Sequence, residues 1–284
     1  MLTAQDTAPA MTAAQFGKLS QIVHSDTGIV LSEAKRGLLV ARLSKRLRAL
    51  NMADFGAYCT LLDSDRGKEE RRHLLSAITT NVTAFFREGH HFDALARDVL
   101  PQLIARAKAG GRVRLWSAAC SSGEEAYSMA MTVLDAFPDA AQHDVLILAT
   151  DIDPEVVARA ESGVYPTDTI AAIGGQRLRK YFDQQGDSFT AKPALKAIMR
   201  FGELNLHQPW PFSGTFDVIF CRNVVIYFDT DMRRSLWQRF ATVLSSDGAL
   251  FIGHSERVDG PAAQQFRITG ATQYQLVTPT SPSH

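Results

Sequence analysis

From about residue 112 onward, short apolar runs alternate with amphipathic helical tracts, and this alternation most narrows the folds open to the chain. Residues 112–117 (RVRLWS) lead into a turn over 121–123 and a helix running through Met131. Residues 144–150 (DVLILAT) form a continuous apolar run, followed by Asp151, Ile152, Asp153 and a second helix whose first turn suits Pro154. Further strands are expected at 198–203, 216–221 and 249–253, a helix near 231–244, and a closing antiparallel pair at 265–269 and 273–277. Apolar strands alternating with helices imply a mainly parallel sheet covered on both faces, an α/β fold. Residues 163–196 break the rhythm with a helix-like tract at 176–182 and a turn or short hairpin at 185–193, and read as an insertion carried by the sheet.

The N-terminal part follows another pattern. Residues 12–79 carry apolar side chains at helical spacing, with Thr12 and Ser32 as expected N-caps and Gly28 as a helix stop. On a helical wheel of 32–50, Leu39, Val40, Leu43, Leu47 and Leu50 share one arc, and Lys35, Arg42, Lys45, Arg46 and Arg48 spread over the other side. With Arg36, residues 33–50 hold six basic groups against the single acid Glu33, a net +5. Such a face is either a solvated helix surface or a docking face for an acidic partner.

Charge and cysteine content exclude several classes. Thirty basic side chains balance thirty acidic ones, so overall electrostatics does not suggest nucleic acid as a partner. Cys59, Cys120 and Cys221 are widely spaced and odd in number, which fits free thiols rather than disulfides or a zinc site. His90 and His91 are adjacent, a poor spacing for a helical metal pair, and surface or capping roles are expected for them. With neither a run of about 18 apolar residues nor a basic leader before an apolar core, membrane insertion is not expected and a cytoplasmic location is.

Open parallel sheets bind ligands at the carboxyl ends of their strands. Here the first strand ends in Ser117-Ala-Ala-Cys-Ser-Ser-Gly123-Glu-Glu125, the second in Thr150-Asp151-Ile-Asp153 and a later one in Cys221-Arg222-Asn223. An acid at the end of the second strand suits ribose hydroxyls, a role open to Asp151. The GxGxxG fingerprint is absent, so a nucleoside without a pyrophosphate fits better than a dinucleotide; the same residues also read as a tight strand-to-helix turn. Glu124 is expected to face outward at the helix start, and Cys221 to be a buried structural thiol.

Five segments, taken in order, resemble the CheR-type chemotaxis receptor methyltransferases. They are 81–88 (NVTAFFRE), 116–128 (WSAACSSGEEAYS), 149–153 (ATDID), 219–229 (IFCRNVVIYFD) and 253–256 (GHSE). The resemblance covers residues 16–277. It implies a class I S-adenosylmethionine-dependent methyltransferase domain, Rossmann-like, with a small inserted β-subdomain and an all-α domain before it. The expected divisions are a disordered tail (1–11), a helical receptor-docking domain (12–80), a linker over the cofactor (81–88), the methyltransferase domain (89–277, insertion 163–197) and a second tail (278–284). The implied reaction carries a methyl group from S-adenosylmethionine to glutamate carboxylates on the cytoplasmic helical domain of chemotaxis receptors, leaving S-adenosylhomocysteine. By the same resemblance Asn81, Thr83 and Arg87 fold over the cofactor, and Glu125 contacts it near the methionine amino group. Asp151 binds ribose, Asn205 and Leu206 border adenine, and Arg222 and Asn223 approach the methionyl part. Arg87 and Tyr227 are expected nearest the methyl and the incoming carboxylate, and Lys35, Arg42, Lys45, Arg46 and Arg48 are expected to dock the receptor.

The chain departs from the family at Ala126, where proline is common, a change bearing on the start of the helix more than on chemistry. The β-subdomain tract 185–200 is shorter than in members that tether to a receptor's C-terminal pentapeptide, so action independent of that peptide is expected. A methyltransferase for small molecules or nucleic acid, and a non-catalytic receptor-binding adaptor, are the competing readings. Zero net charge and the basic helical module weigh against the first, and the presence of Arg87 and Tyr227 against the second.

Overall fold

The computed structural model describes residues 9–277 and divides into a helical unit, extending to Thr80 and including Tyr227–Asp229, and a sheet unit formed by the rest. Of the expected tails, residues 1–8 and 278–284 lie outside the described residues, whereas Met11 is buried among the helical unit's apolar side chains.

The helical unit comprises α1 (Ala13–Thr27), α2 (Arg36–Ala49), α3 (Phe55–Asp63) and α4 (Gly67–Ile78). Thr12 starts α1 with a capping box: its Oγ1 accepts from the Gln15 amide at 3.2 Å and its own amide donates to Gln15 Oε1 at 2.9 Å. Gly28 ends that helix in the left-handed conformation. Phe16, Leu19, Leu39, Leu43, Leu47, Phe55 and Leu74 fill the core between the helices.

The sheet unit begins with α5 (His90–Ala94), a π-turn over Leu95–Val99 and α6 (Leu100–Lys108). Then come β1 (Val113–Ala118), α7 (Glu124–Ala136), β2 (Val145–Asp151), α8 (Pro154–Ser162) and β3 (Val164–Pro166). The insertion continues with α9 (Gly175–Tyr181), β4 (Phe182–Gln185), β5 (Ser188–Ala191) and α10 (Pro193–Ala197). The chain closes with β6 (Met199–Glu203), β7 (Phe216–Cys221), α11 (Thr230–Val243), β8 (Leu244–Ile252), β9 (Phe266–Gly270) and β10 (Gln273–Leu276).

Seven strands form one mixed sheet in the order β6-β2-β1-β7-β8-β10-β9, parallel except around β10. β7 is buried along its whole length, as a strand covered on both faces must be. The insertion is a separate three-stranded antiparallel sheet, β3-β5-β4, in which the hairpin expected near 185–193 is β4 and β5. The path from β1 runs outward to β2 and β6, then returns to β7 on the other side of β1. The switch of direction therefore lies between β1 and β7, where sheets of this kind bind ligands. Among the described residues no helix is long and apolar enough to cross a membrane.

Candidate active site

The carboxyl ends of β1, β2 and β7 converge on buried ionic side chains. Glu125, on the first turn of α7, takes a hydrogen bond from Ser117 Oγ at 2.7 Å and lies 3.2 Å from Arg222 Nη1. The Arg222 side chain is almost fully buried; its Nη2 donates to the Arg87 carbonyl and stands 3.3 Å from Glu88 Oε2. A guanidinium thus bridges two carboxylates across the switch point. Burial pushes the Glu125 carboxyl up, against the pull of Arg222. At Glu88 burial also acts upward, but the hydrogen bond from His254 and the charge of Arg222 prevail and hold it at about 2.

At the end of β2, Asp151 Oδ2 accepts from the Ser121 amide at 2.8 Å and Oδ1 from the Asp153 amide at 3.1 Å. Burial raises this carboxyl to about 6 despite those donors. Asp153 caps α8 through the Glu155 amide at 3.0 Å and accepts from Asn81 Nδ2 at 3.1 Å, while Ser121 Oγ donates to the Asn81 carbonyl at 3.1 Å. The linker is thereby pinned to the ends of both strands. Farther along it, Phe85 is buried edge-on against Tyr165, the Phe86 amide donates to Ser128 Oγ at 2.9 Å, and Arg177 lies 4.6 Å over the Phe86 ring.

Eight described residues other than glycine have positive φ, and five of them (Phe86, Glu88, Ala119, Ser121 and Asn223) lie in the linker or at these strand ends. Backbone held in such sparsely populated regions persists where its surroundings over-determine it, and it gathers at functional sites. Gly123, at φ +98°, starts α7; a Cβ there would stand 2.8 Å from both Ala160 Cβ and the Tyr165 hydroxyl.

Asn81, Arg87, Glu125, Asp151, Arg222 and Asn223 are drawn together by these contacts or by the adjoining backbone. Asn205 and Leu206 follow β6 next to the end of β2, where the Leu204 amide donates to the Asp151 carbonyl at 2.8 Å. Thr83 is half-buried in the linker. Arg87 Nη1 donates to the Val82 carbonyl at 3.1 Å rather than pairing with an acid. Tyr227 belongs to the helical unit: its carbonyl accepts from the Val30 amide at 2.9 Å, and Lys35 Nζ lies 4.7 Å over its ring.

Several expectations are corrected. Glu124 does not face outward: it is buried, takes the Ser122 hydroxyl at 2.8 Å, and its carboxyl is pushed up by burial. His91 is no surface group; it packs on Phe251, and its Nε2 faces the Ala271 carbonyl at 3.2 Å and Thr272 Oγ1 at 2.9 Å. Burial, with Arg222 nearby, holds its pKa down at about 4. Among the described residues, Glu88, His90 and His91 bring one possible ligand atom each within 4.8 Å of one another, but Arg222 already lies against Glu88. On α2 two basic residues are committed internally. Arg46 forms a bidentate pair with buried Glu70, with contacts of 2.7–3.0 Å, and Arg42 donates to the Ala77 and Thr79 carbonyls at the end of α4. Lys45 and Arg48 are exposed and Lys35 half-exposed.

Two family models account for nearly all of the chain: the CheR methyltransferase SAM binding domain matches residues 81–275, and the CheR methyltransferase all-alpha domain matches residues 14–79. The chain belongs to the CheR methyltransferase family. It is similar to a probable chemotaxis protein methyltransferase of Rhizobium etli, with 48% identity over 90% of this chain and 97% of the relative. A chemotaxis protein methyltransferase of Salmonella typhimurium is 38% identical over 94% and 91% of the two chains, and that of Escherichia coli is 39% identical over 94% and 92%.

The residues present fit the cofactor of a CheR methyltransferase. The strand ends offer carboxylates to cationic and hydroxyl groups, a guanidinium to a carboxylate, and no glycine-rich phosphate cradle. The sequence assigns no role to Glu88, and residues 254–256 read from it only as loop structure bordering the site, although both Glu88 and Glu256 fall within the segments that carry the resemblance. The only signal for them was an acid beside Arg87 and another at the end of the Gly253–Glu256 motif.

Proposed function

We propose that this CheR methyltransferase works in the cytoplasm and esterifies glutamate side chains on the helical signalling domain of chemotaxis receptors. The observation that carries this reading is Arg222 held between Glu125 and Glu88 at the switch point, with Asp151 at the neighbouring strand end. In this reading Glu125 takes the cofactor's ammonium, and Arg222 and Asn223 take its carboxylate end. Asp151 takes the ribose hydroxyls, Asn205 and Leu206 border the adenine, and Asn81 and Thr83 close the linker side.

S-adenosylmethionine supplies a methyl carbon bonded to a positively charged sulfur. The acceptor needs no general base, because a glutamate of ordinary pKa, about 4.3, is already ionised at neutral pH. The chain's contribution is alignment, which can lower a barrier by several kcal/mol when the reacting atoms are held in line. Arg87 is the group suited to hold the incoming carboxylate: among the described residues its guanidinium donates to the neutral Val82 carbonyl and forms no ion pair with an acid.

For the receptor surface, Lys45 and Arg48 on α2 are the exposed basic candidates, joined by Lys35; Arg42 and Arg46 act by holding α2 to α4. The short β4–β5 hairpin supports action without a pentapeptide tether. The test is transfer of labelled methyl from S-adenosylmethionine to receptor-bearing membranes. Base-labile label on the receptor is expected, since methyl esters hydrolyse in alkali. Label that resists alkali, or none above the heat-inactivated control, would overturn the assignment.

A further inference from the structure

We propose that Glu256 is a positioning residue for cofactor binding, acting through the turn that follows β7. Its carboxylate is buried and surrounded by backbone amides: Oε1 accepts from Val224 at 2.9 Å and Val225 at 3.0 Å, and Oε2 from Asn223 at 3.0 Å and Gly253 at 2.6 Å. Three consecutive amides turned toward one anion form a nest, a backbone shape that is strained until the anion fills it. Asn223 supplies the strain, with φ +59°. Arg222, immediately before the nest, is the guanidinium between Glu125 and Glu88. Glu256 therefore fixes the backbone from which the Arg222 and Asn223 side chains reach the cofactor ends of the strands.

Gly253 belongs to the same device. A Cβ at this position would stand 2.6 Å from Asn223 Nδ2, 2.8 Å from the Asn223 amide and 3.0 Å from Glu256 Oε2, so only glycine lets the end of β8 close on the turn. The motif 253–256 is thus a glycine that admits the turn and an acid that holds it. Glutamine cannot replace the acid, because its NH2 group would face two N–H donors in place of an acceptor.

The inference rests on cofactor binding at these strand ends, and the experiment separates the two. Glu256→Gln is compared with Asp217→Asn, a substitution at the opposite end of β7, where Asp217 accepts from the Arg114 amide at 2.8 Å and from Ser245 Oγ at 3.1 Å. Hydrogen exchange on the cofactor-free protein should speed up over residues 222–226 in Glu256→Gln and remain unchanged there in Asp217→Asn. Calorimetry with S-adenosylhomocysteine should show affinity weakened on the order of tenfold or more in Glu256→Gln, since losing even one hydrogen bond to a charged ligand group has an effect of about that scale. Asp217→Asn should bind like wild type even where it melts earlier. Should Glu256→Gln fail to fold, Gly253→Ala crowds the same turn with the carboxylate intact and should weaken affinity likewise. Wild-type affinity in a folded Glu256→Gln or Gly253→Ala protein would overturn the inference alone. A wild-type chain that bound no S-adenosylhomocysteine would overturn the cofactor reading and this inference with it.

Discussion

Asp151 should cost the enzyme stability at the pH where it works, and replacing it with asparagine would expose that cost. Its carboxyl is raised from the ordinary 3.8 to about 6, chiefly by burial, so the folded state holds the neutral form more readily than the unfolded chain does. Below the unfolded value Asp151 imposes no penalty. As pH climbs from there the penalty grows, and it is complete above the folded value. At about 1.36 kcal/mol per pH unit, the rise corresponds to about 3 kcal/mol, of which about 2 accrues between roughly pH 4.5 and pH 7.5. Asparagine keeps one acceptor oxygen but turns an NH2 group toward the Ser121 or Asp153 amide, a pH-independent loss of about 1–3 kcal/mol. The absolute stability of Asp151→Asn is therefore not the test; its change with pH is. Relative to wild type the variant should gain about 2 kcal/mol from pH 4.5 to 7.5, or roughly 4–8 °C in melting temperature for a unit of this size. Trp116, Trp210 and Trp237 all lie in the sheet unit, so urea unfolding followed by tryptophan fluorescence reports on that unit. The same variant should lose measurable affinity for S-adenosylhomocysteine. A wild-type-to-variant difference that stays flat from pH 4.5 to 7.5 would refute the claim that burial strains this carboxylate.

Three further outcomes are expected. Arg87→Ala should lower kcat/KM for receptor methylation about a hundredfold while S-adenosylhomocysteine affinity changes less than about threefold, a split that steady-state kinetics with calorimetry would reveal. Glu70→Ala removes the bidentate acceptor of Arg46 and the acceptor of the Tyr58 hydroxyl, which donates to Glu70 at 2.9 Å, and should destabilise the helical unit by about 3 kcal/mol in denaturation followed by circular dichroism; an unchanged midpoint would show that the pair contributes little. Charge reversal at Lys45 and Arg48 together should raise the KM for receptor membranes several-fold at low salt and much less at high salt, with cofactor affinity unaffected; a salt-independent effect would argue against electrostatic docking.

The sheet was legible because its central strands are covered on both faces and so are mainly apolar, interrupted in β1 by Arg114 and Ser117 and in β7 by Asp217. β7 matches its expected span, while β8 starts earlier than expected, at Leu244, because the residues that follow Leu244 are polar, Ser245 half-buried and Ser246 and Asp247 exposed, and carry no apolar strand signal. The α2 wheel placed Arg42 and Arg46 on the solvent side because a wheel registers direction and not partner. Glu70 lies 24 residues beyond Arg46, on a helix whose packing no local pattern reveals. Glu124 misled for a related reason: an acid at a helix start is favourable in solvent, but here the helix starts against the insertion, with Tyr165 donating to the Ser122 carbonyl at 2.8 Å.

What could not be read from the sequence are the groups whose role depends on several segments meeting. Glu88 is a carboxylate in the linker; it becomes an anchor only because β7 delivers Arg222 and the residues after β8 deliver His254, which lies 3.0 Å away. His91 follows by exclusion, since burial and the guanidinium both disfavour its charged form. An acid's sequence position says that it can accept hydrogen bonds, and topology says from whom. Because the parallel order brings the ends of β1, β7 and β8 side by side, acids spaced far apart in the chain can act on one guanidinium and one turn. In the proposed reading the same order puts those acids beside the cationic cofactor, so the residues that shape the backbone and those that meet the ligand share a single electrostatic balance. Removing Glu88 or Glu256 should accordingly disturb binding through Arg222 and not only through lost packing.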